Sequence, residues 1–326
     1  MRLRWFVALA AIPAAWLLSV ERGGKESAPA YLYRLVYLPL AHPKRPSRPV
    51  SDDAFAVGLR TIQSAPDGPS PFAAEFRTTP IVKAGAYAAT VVEPRAEPAP
   101  SRTIIYLHGG AFVSRLIPAE KRLIEGLVER ARARVVVLDY PLAPDHDWRD
   151  TYAAVDALWR ELSRNKPPDR IAICGFSAGG GLALGFAQQL RDHGEPLPTR
   201  IVLVSPWLDL RPVNPGQQQL ERADPILNRA ELVQSARLWA RGAPPDRPPV
   251  SPVLGSLRGL PPMLVFSGTA DLLNADARAL VRRAAAERAA LRYVEGEHML
   301  HSWALSRFRE GRELRETAAD FLAGGA

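Results

Sequence analysis

From about residue 75 onward, short runs of apolar and often β-branched residues alternate with longer segments in which apolar residues recur every three or four positions. Runs of the first kind are typical of strands buried on both faces, and segments of the second kind are typical of amphipathic helices. The predicted strands are 103–107, 134–138, 171–173, 200–204, 263–266 and 291–294. Because strands and helices alternate, we predict an α/β fold in which right-handed crossovers build a mostly parallel sheet with helices on both faces.

Two apolar segments near the start of this body, 80–83 and 86–93, predict an antiparallel hairpin at one edge of the sheet. Proline-rich stretches at 42–50 and 64–71 separate the body from the N-terminal region. With the hairpin added, the sheet is expected to contain about eight strands.

The alternation of strands and helices is interrupted between residues 207 and 255. This interval is rich in proline and contains a single helical pattern, at 229–241. An insertion of this kind commonly forms a lid over a site. We therefore predict the following organisation: an apolar N-terminal segment at 1–24, an N-terminal cap region and linker at 25–74, a core at 75–206 and 256–326, and a cap insertion at 207–255.

The N-terminal segment contains sixteen consecutive uncharged positions, residues 5–20, preceded by two arginines. As a helix these positions would extend about 24 Å, which is short of the bilayer's apolar thickness of about 30 Å. The pattern fits a signal peptide or a marginal membrane anchor better than a full membrane span. An apolar helix that covers the protein's own pocket is an equally good interpretation. A cytoplasmic, a membrane-associated and an exported location therefore all stay open.

Charge and cysteine content exclude some classes of function. The formal net charge is +8, carried by 37 arginines and 5 lysines that are spread along the chain. No recognised nucleic-acid-binding motif accompanies this charge, so we do not expect a nucleic-acid partner. The single cysteine, Cys174, excludes an intramolecular disulfide and argues against a structural zinc site. We expect no bound metal.

One serine, Ser177, stands in the pattern Gly-x-Ser-x-Gly between a predicted strand and a predicted helix. A turn this tight strains the backbone of the serine, and Gly175 and Gly179 allow the strand and the helix to approach without Cβ clashes. The hydroxyl is then exposed at the carboxyl edge of the sheet. We predict that Ser177 is a nucleophile; the alternative is a glycine-rich helix start with a capping serine.

The loop after the strand at 103–107 begins with His108-Gly-Gly-Ala-Phe112. Acyl transfer places negative charge on an oxygen, which glycine amides facing the nucleophile can stabilise. Gly109, Gly110 and Ala178 are therefore the predicted oxyanion-hole donors. We expect His108 to brace this loop rather than to transfer protons.

A serine hydroxyl needs a base, usually a histidine that is oriented by a carboxylate. In this kind of fold the chain order is Ser, then Asp or Glu, then His. Asp271 follows the strand at 263–266, and both His298 and His301 follow the last strand, so either histidine could be the base. Asp276, close behind Asp271, is interpreted as a charge that favours the start of a helix.

Several motifs in order make residues 75–323 resemble the hormone-sensitive-lipase-like branch of the α/β-hydrolases. These are HGGAF at 108–112, DYPLAPDH at 139–146, GFSAGG at 175–180, SPWLDL at 205–210, DPIL at 224–227 and SPVL at 251–254. The resemblance implies a catalytic triad of Ser177, Asp271 and a late histidine, and a pocket roofed by the N-terminal region and the 207–255 insertion. In this family an aromatic residue typically follows the histidine two positions later, as Trp303 follows His301. The resemblance thus favours His301 and leaves His298 as the alternative base.

The function implied is that of a serine carboxylester hydrolase that acts on short- to medium-chain or small lipophilic esters through an acyl-enzyme on Ser177. Such chemistry needs no cofactor. An amide or lactone hydrolase and an acyltransferase would use the same triad, so they remain alternatives. A non-catalytic ligand-binding protein of the same fold is a further alternative, although such proteins usually lack the nucleophile or the base. The expected partner is a small-molecule ester, and the sequence leaves the oligomeric state open.

Overall fold

The computed structural model describes residues 27–33, 51–64, 72, 76–83, 86–95, 100–165, 170–211 and 215–324. Eight strands form one sheet: β1 (Phe76–Lys83), β2 (Tyr87–Pro94), β3 (Arg102–Leu107), β4 (Ala133–Asp139), β5 (Ile171–Phe176), β6 (Ile201–Val204), β7 (Met263–Gly268) and β8 (Leu291–Gly296). The spatial order is β1-β2-β4-β3-β5-β6-β7-β8. The predicted hairpin is confirmed, because β1 pairs antiparallel with β2 at one edge. β2 is also antiparallel to β4, and all the remaining pairs are parallel.

Helices connect the strands and cover both faces of the sheet. They are α1 (Ala28–Leu32), α2 (Asp52–Gln63), α3 (Lys121–Ala131), α4 (Trp148–Asn165), α5 (Ala178–Asp192), α6 (Pro215–Leu220), α7 (Arg229–Ala240), α8 (Asn274–Glu287) and α9 (Arg309–Leu322). Short 3₁₀ helices occur at Pro118–Glu120, Pro252–Leu254 and Trp303–Leu305. The alternation of strand and helix confirms the predicted α/β fold.

The hydrophobic core lies in two layers, one on each face of the sheet. Successive residues of β3 point to opposite faces, so that Ile105 packs in one layer and Ile104 in the other. The first layer contains buried residues of α4, α5 and α8, and the second contains buried residues of α3 and α9. Burial on both faces explains why the central strands are apolar runs without alternation.

Parts of the N-terminal region and of the 207–255 insertion lie over the loops that follow β3 and β4. Helix α2 packs against α7, and Gln63 on α2 donates to the carbonyls of Val113 and Ala143 at 2.7 and 2.8 Å. On α7, the ring of Trp239 stacks on Phe112 with 3.8 Å between centroids. Both segments therefore approach the loop that begins at His108. The division of the chain into cap and core stays a prediction.

In its described residues, the insertion contains helix α6 and the short 3₁₀ helix Pro252–Leu254 besides the helix that its sequence pattern indicates. Helix α6, Pro215–Leu220, has six residues, which is too short for an apolar repeat to be recognised. The apolar N-terminal segment at 1–24 lies outside the described residues. Within the described ranges, no helix is both long enough and apolar enough to cross a bilayer.

Candidate active site

Ser177 occupies the turn between the end of β5 and the start of α5. Its backbone angles are φ 53° and ψ −118°, which a residue with a Cβ adopts only under strain. The Ser177 amide donates to the carbonyl of Val204 at 2.9 Å, and its carbonyl accepts the amide of Trp207 at 2.9 Å. These bonds to the end of β6 and to the chain just after it hold the strained turn in place, so the position of the hydroxyl is fixed by the sheet.

The glycines on either side of Ser177 are required by close backbone contacts. A Cβ on Gly175 would collide with the carbonyl oxygen of Gly179, and a Cβ on Gly179 would collide with the carbonyl oxygens of Leu107 and His108. Strand β5, helix α5 and the end of β3 meet here with no room for a side chain. The structure thus confirms the reason that the sequence gives for these glycines.

We expect Gly179→Ala to lower the free energy of unfolding by about 1–3 kcal/mol, because the added methyl group overpacks a rigid backbone junction. Gly58→Ala is the matched control, since a Cβ at Gly58 on α2 meets nothing within 4 Å. There the same substitution should be neutral or stabilising, because alanine is favoured over glycine inside a helix. Urea denaturation of both variants measures the difference. Equal stability of the two variants would contradict this account of the turn.

The structure brings Ser177, His301 and Asp271 together. The Ser177 hydroxyl lies 2.9 Å from Nε2 of His301, and Nδ1 of the same ring lies 3.1 Å from both carboxylate oxygens of Asp271. All three residues are buried, with Asp271 completely inaccessible. The expectation of an exposed Ser177 hydroxyl is therefore wrong: Ser177 is only 7% accessible, because its hydroxyl faces the ring of His301. An imidazole therefore bridges an alcohol and a carboxylate, although 124 positions of sequence separate the serine from the histidine.

Two loops that are tied to each other position the histidine and the aspartate. Asp271 follows β7, and His301 follows β8, the neighbouring parallel strand. The amides of Thr269 and Ala270 donate to the carbonyls of Gly296 and Met299, at 2.9 and 3.1 Å. Asp271 also accepts the amide of Leu273 at 2.9 Å. The carboxylate is thus oriented by its own loop as well as by the ring of His301.

The environment of His301 acts on its pKa in two opposing ways. Burial lowers the pKa, but the Asp271 carboxylate raises it, through its charge and its hydrogen bond, and Asp224 and Glu120 add to this effect. The net shift is upward from the ordinary value of 6.5. A raised pKa means that the neutral ring, which can accept a proton at Nε2, predominates only at a higher pH.

If His301 accepts the proton of Ser177, the acid limb of kcat/KM should have its midpoint above pH 6.5, the ordinary pKa of the imidazole. Activity should rise as the pH increases through this midpoint, because the protonated ring cannot act as a base. A pH profile of kcat/KM with a neutral ester checks this. A midpoint below 6.5 would contradict the net upward shift.

The second candidate base, His298, does not join this group. Its side chain is 56% exposed, and its ring faces Glu297 at 3.9 Å. The backbone of His298 has φ 61°, and its amide donates to the Thr269 hydroxyl at 2.7 Å. Its contribution is therefore to the geometry of the loop, since it contacts neither Ser177 nor Asp271 in the described part of the chain.

The loop from His108 differs from the sequence expectation in one detail. The amide of Gly109, a predicted oxyanion donor, donates to the buried carboxylate of Glu120 at 3.1 and 3.3 Å. The amides of Gly110 and Ala178, the other two predicted donors, have no acceptor among the described residues, and neither has that of Ala111. The correction has a physical reason: a loop that starts at a strand end turns successive peptide groups in different directions.

His108 braces this loop, as the sequence predicts. Its ring donates through Nδ1 to the carbonyl of Gly109 at 2.7 Å and stacks on Tyr140 with 4.1 Å between centroids. The hydroxyl of Tyr140 donates to the His108 carbonyl at 2.8 Å. Burial lowers the pKa of His108 to about 4, so the ring is neutral near pH 7.

Three buried carboxylates have roles that the sequence did not reveal. Glu120 accepts the hydroxyl of Tyr106 at 2.6 Å besides the amide of Gly109. Asp224, in the DPIL motif, accepts the amide of Leu272 at 2.8 Å, and burial and the charge of Asp271 raise its pKa. The third carboxylate is Asp276. No local pattern distinguishes these acids from exposed ones, because their burial depends on distant segments.

Asp276 is more than a charge at a helix start. It does lie in the first turn of α8, but it is completely buried. It accepts the amides of Leu208 and Asp209, each at 3.1 Å, and the side-chain amide of Gln217 at 2.9 Å. Burial, followed by the charge of Asp209, raises its pKa to about 8. Asp276 therefore fastens the beginning of the 207–255 insertion to the body of the protein.

A cavity of about 790 Å³ lies along the loop that carries His301, but none of Ser177, His301 and Asp271 lines it. Leu300 and Ser302, the chain neighbours of His301, both line it. Its other walls are largely apolar and come from α1, from the DPIL motif and from the chain around the short helix Trp303–Leu305. Within the described ranges, no group of three or more His, Cys, Asp or Glu side chains is arranged to hold a metal ion.

Comparisons with known proteins identify the family and the fold of this chain. Residues 104–305 match the sequence profile of a family described as alpha/beta hydrolase fold. An acetyl-hydrolase of Streptomyces hygroscopicus is 34% identical over 224 residues, which are 68% of this chain and 75% of that protein. The crystal structure of an esterase from the bacterial hormone-sensitive lipase family is 30% identical, with a TM-score of 0.74 over 90% of this chain and 97% of that one. The esterase EstE5, soaked with p-nitrophenyl butyrate, is 27% identical, with a TM-score of 0.76 over 88% of this chain and 96% of that one.

Proposed function

This chain belongs to the α/β-hydrolase fold family, as one of its carboxylesterase- or lipase-like serine hydrolases, and from that premise we propose that Ser177, His301 and Asp271 are its catalytic triad. One observation carries the proposal: the imidazole of His301 lies 2.9 Å from the hydroxyl of Ser177 and 3.1 Å from the carboxylate of Asp271. This is the arrangement in which a histidine can take the proton of a serine while a carboxylate stabilises the resulting imidazolium.

The first half of the reaction forms an acyl-enzyme. Ser177 Oγ attacks the carbonyl carbon of the ester, and its proton passes to Nε2 of His301. Asp271 holds the proton on Nδ1, which leaves Nε2 free to accept. When the tetrahedral intermediate collapses, the bond to the alcohol breaks and the alcohol leaves with the proton from Nε2.

In the second half of the reaction, water replaces the alcohol. His301 removes a proton from water as the water oxygen attacks the acyl carbon. His301 then passes this proton to Ser177 Oγ when the acid is released. The balance is one ester and one water giving one alcohol and one acid. All of these steps are proton transfers and acyl transfers, so the residues named are sufficient for them.

The negative charge that develops on the carbonyl oxygen needs donors that are already in place. We assign this role to the amides of Gly110 and Ala178, with Ala111 as a third donor. The support is that these amides have no acceptor among the described residues, while the Gly109 amide is bound to Glu120. Ala178 begins α5, so its amide also carries the positive end of the helix dipole.

The proposed substrates are short- to medium-chain or small lipophilic esters. The support is the similarity of this chain to an acetyl-hydrolase and to EstE5, whose crystal was soaked with p-nitrophenyl butyrate. The alternatives with the same triad are amide hydrolysis, lactone hydrolysis and acyl transfer to an alcohol.

A substrate panel tests this choice. The panel contains p-nitrophenyl acetate, butyrate, octanoate and palmitate, butyryl-p-nitroanilide and γ-butyrolactone, each assayed with the full chain. We expect the highest kcat/KM among the acetate, butyrate and octanoate esters. Faster turnover of the anilide or the lactone than of every ester would overturn the choice of substrate, while labelling by a fluorophosphonate probe would still report on the nucleophile.

We also propose that residues 1–24 attach the protein to membranes, where lipophilic esters concentrate. The support is the uncharged run at 5–20 behind two arginines. Deleting residues 1–24 should move the protein from the membrane fraction to the soluble fraction. An unchanged partition would refute the proposal, and an unchanged kcat on p-nitrophenyl acetate would show that the deletion leaves the core intact.

A further inference from the structure

Glu120 is a buried carboxylate with no cationic partner. It ends the short helix Pro118–Glu120 and is completely inaccessible to solvent. No lysine or arginine forms an ion pair with it in the part of the chain that the structure describes. Its oxygens accept hydrogen bonds from the hydroxyl of Tyr106 and from the amide of Gly109. A buried carboxylate costs several kcal/mol of desolvation, so a group kept here must offset this cost through its hydrogen bonds.

The hydrogen bond to Gly109 holds one side of the loop that contains the proposed oxyanion donors. On the other side, the carbonyl of Gly109 accepts from Nδ1 of His108 at 2.7 Å and from the hydroxyl of Tyr140 at 3.3 Å. Both peptide groups of Gly109 are therefore fixed, one through its N–H and the other through its C=O.

Fixing the Gly109 carbonyl also fixes the direction of the next amide. The C=O of Gly109 and the N–H of Gly110 belong to one trans peptide group, in which they point in opposite directions. The loop lies directly against the nucleophile, since a Cβ added to Gly109 would be 3.3 Å from the Cβ of Ser177. A rotation of the peptide group between Gly109 and Gly110 would therefore change the direction of the Gly110 amide, which we assign to the oxyanion.

We propose that Glu120 is a positioning residue for the oxyanion hole: by binding the Gly109 amide, it keeps the Gly110 amide aimed at the oxyanion. The inference rests on the proposed function, because it requires an oxyanion at Ser177. Glu120 itself touches neither substrate nor Ser177. Its effect should consequently be on transition-state stabilisation rather than on substrate binding, since the donors act on charge that develops only in the reaction.

Two substitutions at this position separate the hydrogen bond from the charge. Glu120→Ala removes the acceptor, and we expect kcat for p-nitrophenyl butyrate to fall by about 10²-fold with little change in KM, because a misaimed donor loses its stabilising effect. Glu120→Gln keeps an acceptor for the Gly109 amide, and its kcat should stay within about tenfold of wild type. Glu129→Ala, an exposed glutamate on α3, is the matched control.

A trifluoromethyl ketone provides a second measurement, because Ser177 converts it into a tetrahedral oxyanion. For the Glu120→Ala variant, the inhibition constant of the ketone should rise by the same factor by which kcat/KM for the ester falls. Any of three results would overturn the proposal. In the first, kcat of Glu120→Ala is within about twofold of wild type; in the second, only KM changes; in the third, kcat falls as much in Glu120→Gln as in Glu120→Ala.

If Glu120→Ala does not fold, Glu120→Asp replaces it; its carboxylate is one methylene shorter and is withdrawn from the Gly109 amide, and a kcat within about twofold of wild type would then overturn the proposal. Failure of the proposed function would look different. In that case wild type itself would hydrolyse no ester of the panel and would not react with a fluorophosphonate.

Discussion

Replacing Ser177 by Ala should lower kcat/KM for p-nitrophenyl butyrate by about 10⁴- to 10⁶-fold, which is the loss expected when the nucleophile of a triad is removed. No other hydroxyl is hydrogen-bonded to His301 in the described part of the chain, so no neighbouring group can take over the attack. The residual rate should reflect binding and the oxyanion donors alone. Stopped-flow or plate assays at high enzyme concentration would quantify it.

The matched control for this substitution is Ser163→Ala. The hydroxyl of Ser163 donates to the Trp159 carbonyl within α4, so the same atom is deleted without a change in the hydrogen bonds of Ser177. Its kcat/KM should stay within about twofold of wild type. Turnover by Ser177→Ala within about tenfold of wild type would refute the assignment of the nucleophile.

The two late histidines should respond very differently to substitution. His301→Ala should lower kcat by about 10⁴- to 10⁶-fold, because the proton of Ser177 then has no acceptor. His298→Ala should leave kcat within about twofold of wild type, because its ring is exposed and its loop contact is made by the backbone amide. The pair is its own control, since the same change is made three positions apart. Equal losses in the two variants, or a larger loss in His298→Ala, would contradict the account.

Much of the fold can be predicted from local patterns in the sequence. The strands in the centre of the sheet are apolar on both faces, so β3 and β5 are visible as uninterrupted apolar runs. The turn at Ser177 is equally visible, because the backbone contacts of Gly175 and Gly179 admit no other residue. The order of serine, aspartate and histidine at strand ends is a topological consequence of parallel strands, whose carboxyl ends share one edge.

The local sequence pattern does not decide between His298 and His301 as the base. Both follow β8 and both are close to Asp271 in the expected topology. Only the resemblance to a family favoured His301, and the structure places its ring, and not that of His298, between the serine and the aspartate. The difference arises from the path of the loop, in which His298 has a positive φ and turns outward.

The carboxylates were missed because burial is a property of the folded chain. Glu120 precedes a helix and Asp276 lies in the first turn of another, which are ordinary positions for exposed acids. They are unusual because Glu120 accepts a hydrogen bond from the amide of Gly109 and Asp276 accepts one from the amide of Leu208. A single sequence contains no pattern that predicts either hydrogen bond. The same reason explains the error at Gly109, whose amide direction depends on Glu120.

The central claim is that Ser177 attacks a carbonyl carbon while amides of the loop and of the helix bind the carbonyl oxygen. A crystal structure of the protein inactivated with diethyl p-nitrophenyl phosphate tests this claim most directly. We expect a covalent bond from Ser177 Oγ to phosphorus, with the phosphoryl oxygen about 2.7–3.1 Å from the amides of Gly110 and Ala178. Phosphorus attached to another side chain, or a phosphoryl oxygen that faces away from both amides, would contradict the account.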